Sequence, residues 1–137
     1  MTSHPVRDLL ARASAREIVQ PADGKSQSSF ERVTIEGHGY FLKRLTPASD
    51  WIMRVTGDRV HRPYLIWQAG IMDQVPACID HAVIAMEVVG PGDEAELSVL
   101  MRDVAPCLVP EGNAIVPEAQ HHGFIEHLAH LSAAFWG

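Results

Sequence analysis

Apolar and polar positions along this chain change their spacing several times, and each change marks an element. Residues 5–13 read as a short amphipathic helix, with Pro5 suited to its first turn. Residues 16–20 form a first strand, ended by Pro21-Ala22-Asp23-Gly24, and the small polar run 24–29 has loop composition. Residues 30–36 alternate enough to be a second strand, Gly37-His38-Gly39 is a tight turn signal, and 40–45 is the hairpin partner. A short helix over 50–55, capped by Ser49 or Asp50, is broken at Gly57-Asp58. Pro63 then opens a second helix running to about Asp73, with Leu65, Ile66, Ala69 and Met72 as an apolar stripe. Residues 81–89 and 98–104 are two further strands, separated by Gly90-Pro91-Gly92-Asp93. Proline and glycine mark 106–117 as exposed, and 118–135 is a final helix with Phe124, Ile125, Leu128, Leu131 and Phe135 on a broad apolar face. The order helix, three strands, two helices, two strands, loop, helix predicts an α+β domain with a five-stranded antiparallel sheet.

Composition narrows the function classes. The chain of 137 residues is 47% apolar and 20% charged, an ordinary globular mix, and its formal charge of −6 disfavours bulk electrostatic binding to nucleic acid. An anionic ligand would need a local cationic pocket, and Lys43 with Arg44 would supply part of one. Cys78 and Cys107 lack metal-type spacing, residues 1–15 lack a signal-peptide core, and no apolar run reaches membrane-spanning length. The expectation is a reduced, cytoplasmic protein without membrane or nucleic-acid partners.

The segment Tyr40-Phe41-Leu42-Lys43-Arg44-Leu45 carries the most chemistry. A lysine among β-formers either snorkels to solvent or meets an anion. Gly24-Lys25-Ser26 resembles a P-loop in part, but Val19 stands where the pattern needs its first glycine, and a strand follows where a helix is required. His122, Glu126 and His130 share one face of the last helix, a weak metal signature that no second element obviously closes. Trp51, Trp67 and Trp136 read as core or interface packing.

Four features in order resemble the N-terminal lobe of the aminoglycoside phosphotransferase and choline kinase group, whose fold is similar to that of protein kinases. They are the small-residue loop Gly24 to Ser29, the strand ending in Lys43, the run Trp67 to Pro76 that resembles the end of helix C, and Val99-Leu100-Met101-Arg102-Asp103-Val104, which looks like the strand entering the interlobe hinge. The last helix resembles the first helix of the C-terminal lobe. The resemblance implies a kinase-like lobe over 1–104, a linker over 105–117 and a C-lobe helix over 118–137. It implies that Lys43 pairs with nucleotide α/β-phosphates. Ser26, Ser28 and Ser29 would offer hydroxyls and amides to phosphate oxygens. Arg102 C=O and Val104 N–H would meet the adenine edge, with Met101 lining the pocket.

The chain departs from the family pattern at two places. The helix-C glutamate that would orient the lysine aligns near Pro63, and 50–73 holds no glutamate, leaving Asp58 as the nearest acid. No H-x-D-x-x-x-x-N catalytic segment occurs before Gly137. The expectation is a parent phosphotransferase using ATP or GTP with Mg²⁺ on a small-molecule hydroxyl. The chain itself would bind nucleotide weakly, need no cofactor and have no catalytic residue. The rival expectation is a non-catalytic interaction domain that self-associates through the apolar face of its last helix.

Overall fold

The computed structural model describes residues 4–20, 28–109 and 114–136. They fall into two units, one of Met1–Ala69 with Ala82–Asp103 and one of Gly70–His81 with Val104–Gly137. The first unit holds helices α1 (Val6–Leu10), α2 (Trp51–Thr56) and α3 (Arg62–Gln68), and strands β1 (Ala13–Val19), β2 (Ser29–Ile35), β3 (His38–Leu45), β4 (Val83–Val89) and β5 (Glu96–Arg102). The strands form one antiparallel sheet in the order β1-β2-β3-β5-β4, so β3 is central and β1 and β4 are the edges. The α+β class and the five-stranded antiparallel sheet expected from the residue pattern are both present.

One face of the sheet is closed by α1. Val6, Val33, Ile35, Leu42, Ala85 and Leu100 are buried together, with Leu9, Leu10, Ala13 and Tyr40 packed around them. Val6, Leu9 and Leu10 stand three and four apart, which puts them on one helical face. Each fully buried Val or Leu contributes roughly 1.5–3 kcal/mol. A helix of five residues does not persist alone, and its first N–H groups lack helical acceptors. Glu87 of β4 meets that need: its Oε2 accepts from the Arg7 backbone N–H at 3.0 Å, and its Oε1 lies 3.4 Å from the Arg7 guanidinium.

The β2–β3 turn is tighter than the sequence suggested. Glu36 (φ 51°) and Gly37 (φ 79°) form a two-residue turn, and Ile35 pairs with His38 directly beyond it. Two successive left-handed residues match the twist of a hairpin. Gly37 reaches that region freely, whereas Glu36 does so while Arg12 binds its carboxylate. His38 and Gly39 therefore belong to β3 rather than to the turn.

Between β3 and β4, two aspartates organise the chain. Asp50, buried, caps α2 by accepting from the Met53 N–H at 3.0 Å and from the Ser28 hydroxyl at 3.2 Å. Gly57 in the left-handed region ends α2, with Gly57 N–H donating to Arg54 O and Asp58 N–H to Met53 O, the paired bonds of a Schellman motif. Asp58, also buried, then accepts from the N–H groups of Val60 at 3.3 Å and Arg62 at 3.1 Å, which sets the start of α3. His61 is buried at φ 53°, and neither ring nitrogen has a partner among the described residues.

Helix α3 is shorter than expected from the sequence and rotated. Ala69 caps it and Gly70 turns left-handed at φ 67°, so the predicted run to Asp73 breaks, and Met72–Gln74 forms a separate 3₁₀ turn. The expected stripe is not the packed face, because Leu65 and Ile66 are exposed. Tyr64 and Trp67 are half-buried instead, stacked at 6.0 Å, and they border Met86 and Val88 of β4. Trp51 and Trp136, expected in packing roles, are exposed.

The last two strands begin and end elsewhere than the sequence suggested. β4 starts at Val83, and β5 runs from Glu96 to Arg102 after a 3₁₀ turn at Gly92–Glu94. Val104 lies outside β5 because its carbonyl accepts from the Cys107 N–H at 2.8 Å, opening the 3₁₀ turn Ala105–Cys107 within the predicted linker. In the second unit, α4 spans Glu118–Ala134 and leaves Phe124, Ile125, Leu128 and Phe135 exposed. Among the described residues, no helix is long and apolar enough to cross a membrane. Cys78 and Cys107 are both free and exposed.

Candidate functional site

Lys43 sits in the middle of the central strand, paired with Phe30 of β2 on one side and Val99 of β5 on the other. Side chains alternate along a strand, and paired residues share a face. Phe30, Phe41, Lys43, Val99 and Met101 therefore lie on the face opposite α1, since Phe41 pairs with Met101. Phe30 and Phe41 approach with ring centroids 5.7 Å apart, and the Lys43 ammonium stands 5.8 Å from the Phe30 centroid. That separation is within reach of a cation–π attraction.

Arg44 occupies the other face. It binds the Glu31 carboxylate and lies 3.3 Å from Glu96, while Arg16 reaches Glu31 at 2.6 Å. The cationic pocket expected from Lys43 and Arg44 together is thus corrected: adjacency in a strand separates the two by the thickness of the sheet. Burial alone would push the Glu31 carboxyl up, but hydrogen bonds and charge from Arg16 and Arg44 hold it below the usual glutamate range.

On Lys43's own face Arg32 is paired with Asp103 at 3.1 Å, while Lys43 has no carboxylate within ion-pair distance among the described residues. Asp58, the acid nearest in sequence to the missing glutamate, is committed to the backbone of Val60 and Arg62. Lys43 is thus a half-buried cation over an aromatic ring, with its charge uncompensated by any described acid.

The other expected ligands are placed unevenly. Ser26 lies outside the described residues. Ser28 donates its hydroxyl to Asp50, and Ser29 opens β2 opposite Arg44, which puts it on the α1 face. Met101 is on Lys43's face, half-buried. Arg102 ends β5, its N–H donating to Ala82 O at 2.8 Å, and the next N–H, of Asp103, reaches Gly39 O at 3.3 Å. Val104 has turned from extended backbone, at ψ 17°. The sheet thus gathers Lys43 and Met101 but neither Ser29 nor Arg44. Sequence reasoning missed Phe30 and Phe41, whose signal was their alternation with Lys43 across a hairpin.

On α4 each histidine of the candidate metal face pairs with the glutamate one turn earlier, His122 with Glu118 at 3.8 Å and His130 with Glu126 at 3.9 Å. Among the described residues, no three His, Cys, Asp or Glu side chains converge as metal ligands. Two cavities of the first unit are not lined by Lys43, one of about 360 Å³ beside Arg54, Arg59 and Asp93, the other of about 570 Å³ beside Trp67 and Met86.

No family model matches this chain, and comparisons with curated proteins and with solved structures find no match.

Proposed function

We propose that the face of Phe30, Phe41, Lys43, Val99 and Met101 binds the nucleotide of an ATP- or GTP-dependent phosphotransferase similar to the aminoglycoside phosphotransferase and choline kinase group. In this reading the first unit acts as a kinase-like N-terminal lobe, and the reaction passes the γ-phosphoryl to a hydroxyl on a small molecule. The observation that carries it is Lys43 itself, central, half-buried and without an acidic partner among the described residues, on the same face as Phe30, Phe41, Val99 and Met101.

The chemistry follows from that arrangement. Met101 and Phe41 offer an apolar surface for a purine ring. Lys43, two residues farther along β3 at roughly 7 Å, extends an ammonium toward the phosphates. Neutralising phosphate charge and fixing its position is most of what a phosphoryl-transfer enzyme does. Mg²⁺ would accompany the nucleotide, but Asp50 and Asp58 are taken up by backbone N–H groups, Glu31 by Arg16 and Arg44, and Asp103 by Arg32, and these acids do not suit the ion.

The test is nucleotide-dependent thermal stabilisation of the wild-type chain, Lys43→Ala and Arg44→Ala, with ATP and GTP. The expected result is a shift that Lys43→Ala loses and Arg44→Ala keeps. An equal shift in Lys43→Ala would overturn the reading.

A second reading is a non-catalytic interaction domain that self-associates through α4. The observation favouring it is the exposure of Phe124, Ile125 and Leu128 on one helix.

A further inference from the structure

Helices α2 and α3 have their polarity reversed. In α2 the buried residue is Met53, and Trp51, Ile52 and Val55 lie on the opposite side, exposed at 45%, 47% and 75%. In α3 the half-buried pair Tyr64 and Trp67 points inward, while Leu65 and Ile66 lie outward with Arg62 between them. A surface helix ordinarily turns its polar side to water. Val60, in the turn between the two helices, is exposed as well. The Arg62 guanidinium donates to Thr56 O at 3.4 Å, and Asp58 accepts from the Arg62 N–H, which ties the end of α2 to the start of α3.

The exposed charges of this segment have one sign. Arg54 donates to Ala48 O at 2.6 Å and Arg62 to Thr56 O, and among the described residues neither guanidinium has a carboxylate within ion-pair distance. Arg59 has Asp93 at 3.9 Å, with both side chains exposed. The acids of the segment, Asp50 and Asp58, are buried and turned to backbone N–H groups. A chain of formal charge −6 thus presents arginines and large apolar side chains together on its α2–α3 segment.

We propose that α2 and α3 form a docking surface for an anionic lipid bilayer, with Ile52, Val55 and Ile66 among the acyl chains and the arginines at the phosphates. Charge selects the occupant, because a cationic patch on an acidic chain draws an anionic partner to that patch alone. Shape favours a bilayer over a protein. The apolar side chains stand on the outward sides of two helices rather than in a groove, and fluid acyl chains accept such projections without a matching cavity. Arginine stems lie along apolar surface while their guanidinium groups stay with the headgroups, and tryptophan suits the same depth. Binding of this kind lies on the bilayer and needs no spanning helix. It does not depend on the nucleotide reading, since Lys43 takes no part in it.

Flotation of the full chain with vesicles tests it. Wild type is expected to rise with vesicles of equal parts phosphatidylcholine and phosphatidylserine, and to stay behind with phosphatidylcholine alone. The double variant Val55→Glu, Ile66→Glu alters two side chains already exposed, so its circular dichroism should match wild type while its flotation is lost. Leu128→Glu on α4 and Lys43→Ala should both float as wild type does, which keeps this result separate from α4 and from nucleotide binding. Wild type that stays behind with both vesicles would overturn the proposal and leave the surface to a protein partner. Equal flotation on both vesicles would also overturn it. So would flotation that survives the α2–α3 variant but is lost in Leu128→Glu, because α4 would then hold the lipid. If the double variant misfolds, hydrogen exchange of wild type decides: slower exchange of the amides of residues 51–68 on the phosphatidylserine vesicles is expected, and unchanged exchange rules the surface out.

Discussion

Lys43 and Arg44 are neighbours in β3, yet they serve opposite faces of the sheet and opposite purposes. Arg44 sits among carboxylates, bound to Glu31 and 3.3 Å from Glu96, whereas Lys43 stands over the Phe30 ring with no described acid in reach. Folding therefore gains from Arg44 and gains little from Lys43. Arg44→Ala is expected to cost about 1–2 kcal/mol, because it strips one of two arginines from a mostly buried Glu31. Lys43→Ala is expected to stay within about 0.5 kcal/mol of wild type. Urea denaturation of the two variants measures both, and the reverse ranking would contradict the ion-pair geometry.

Glu31 supplies a pH dependence with a defined sign. Its carboxyl titrates below the usual range in the folded chain, because Arg16 and Arg44 outweigh the opposing effect of burial. A depressed folded-state value stabilises above the unfolded-state value, and that contribution is lost as pH falls through the folded-state value. Glu31→Gln should therefore be less stable than wild type near neutrality and converge on it in acid. Denaturation midpoints of the two proteins, followed from neutral pH into acid, would show a constant gap if the ion cluster is not formed.

The buried aspartates before α2 and α3 act as caps. Asp50→Ala and Asp58→Ala are each expected to cost about 1–2 kcal/mol. The two caps share no bond partner, so the double variant should show nearly the sum of the single losses. Thermal denaturation of the three proteins measures this, and a strongly sub-additive double variant would show that the two turns form as one unit.

Leu42 lies at the centre of the α1 face with no exposed surface. Leu42→Ala should cost about 2–5 kcal/mol, the usual range for emptying a tightly packed leucine site. Denaturant titration checks it, and a loss under 1 kcal/mol would mean that α1 does not seal that face in solution.

The element order and the sheet were legible because alternation and turn residues act locally. Gly37 marked its hairpin, and Asp50 its helix, from within a few residues. What could not be read was decided by partners far along the chain. Leu65 and Ile66 had the spacing of a packed stripe, but α3 turns Tyr64 and Trp67 toward β4 instead, and no local rule ranks one face above the other. Val104 looked like the end of a strand until the Cys107 N–H claimed its carbonyl. For the candidate site, Lys43 was conspicuous as a cation in an apolar strand. The separation of Lys43 from Arg44 follows from strand alternation alone and was available in the sequence. The commitment of Ser28 to Asp50, 22 residues away, depends on tertiary placement and was not.

The bond from Glu87 to the Arg7 N–H joins positions 80 residues apart. During synthesis α1 leaves the ribosome before β4 and β5, which supply Ala85, Glu87 and Leu100 to its binding surface. Its five residues cannot hold a helix by themselves. Val6, Leu9 and Leu10 therefore wait for part of their binding surface until nearly the whole sheet has been made. Contacts of such separation slow folding. Shielding Val6, Leu9 and Leu10 in that interval would keep them from other contacts until β4 and β5 are in place.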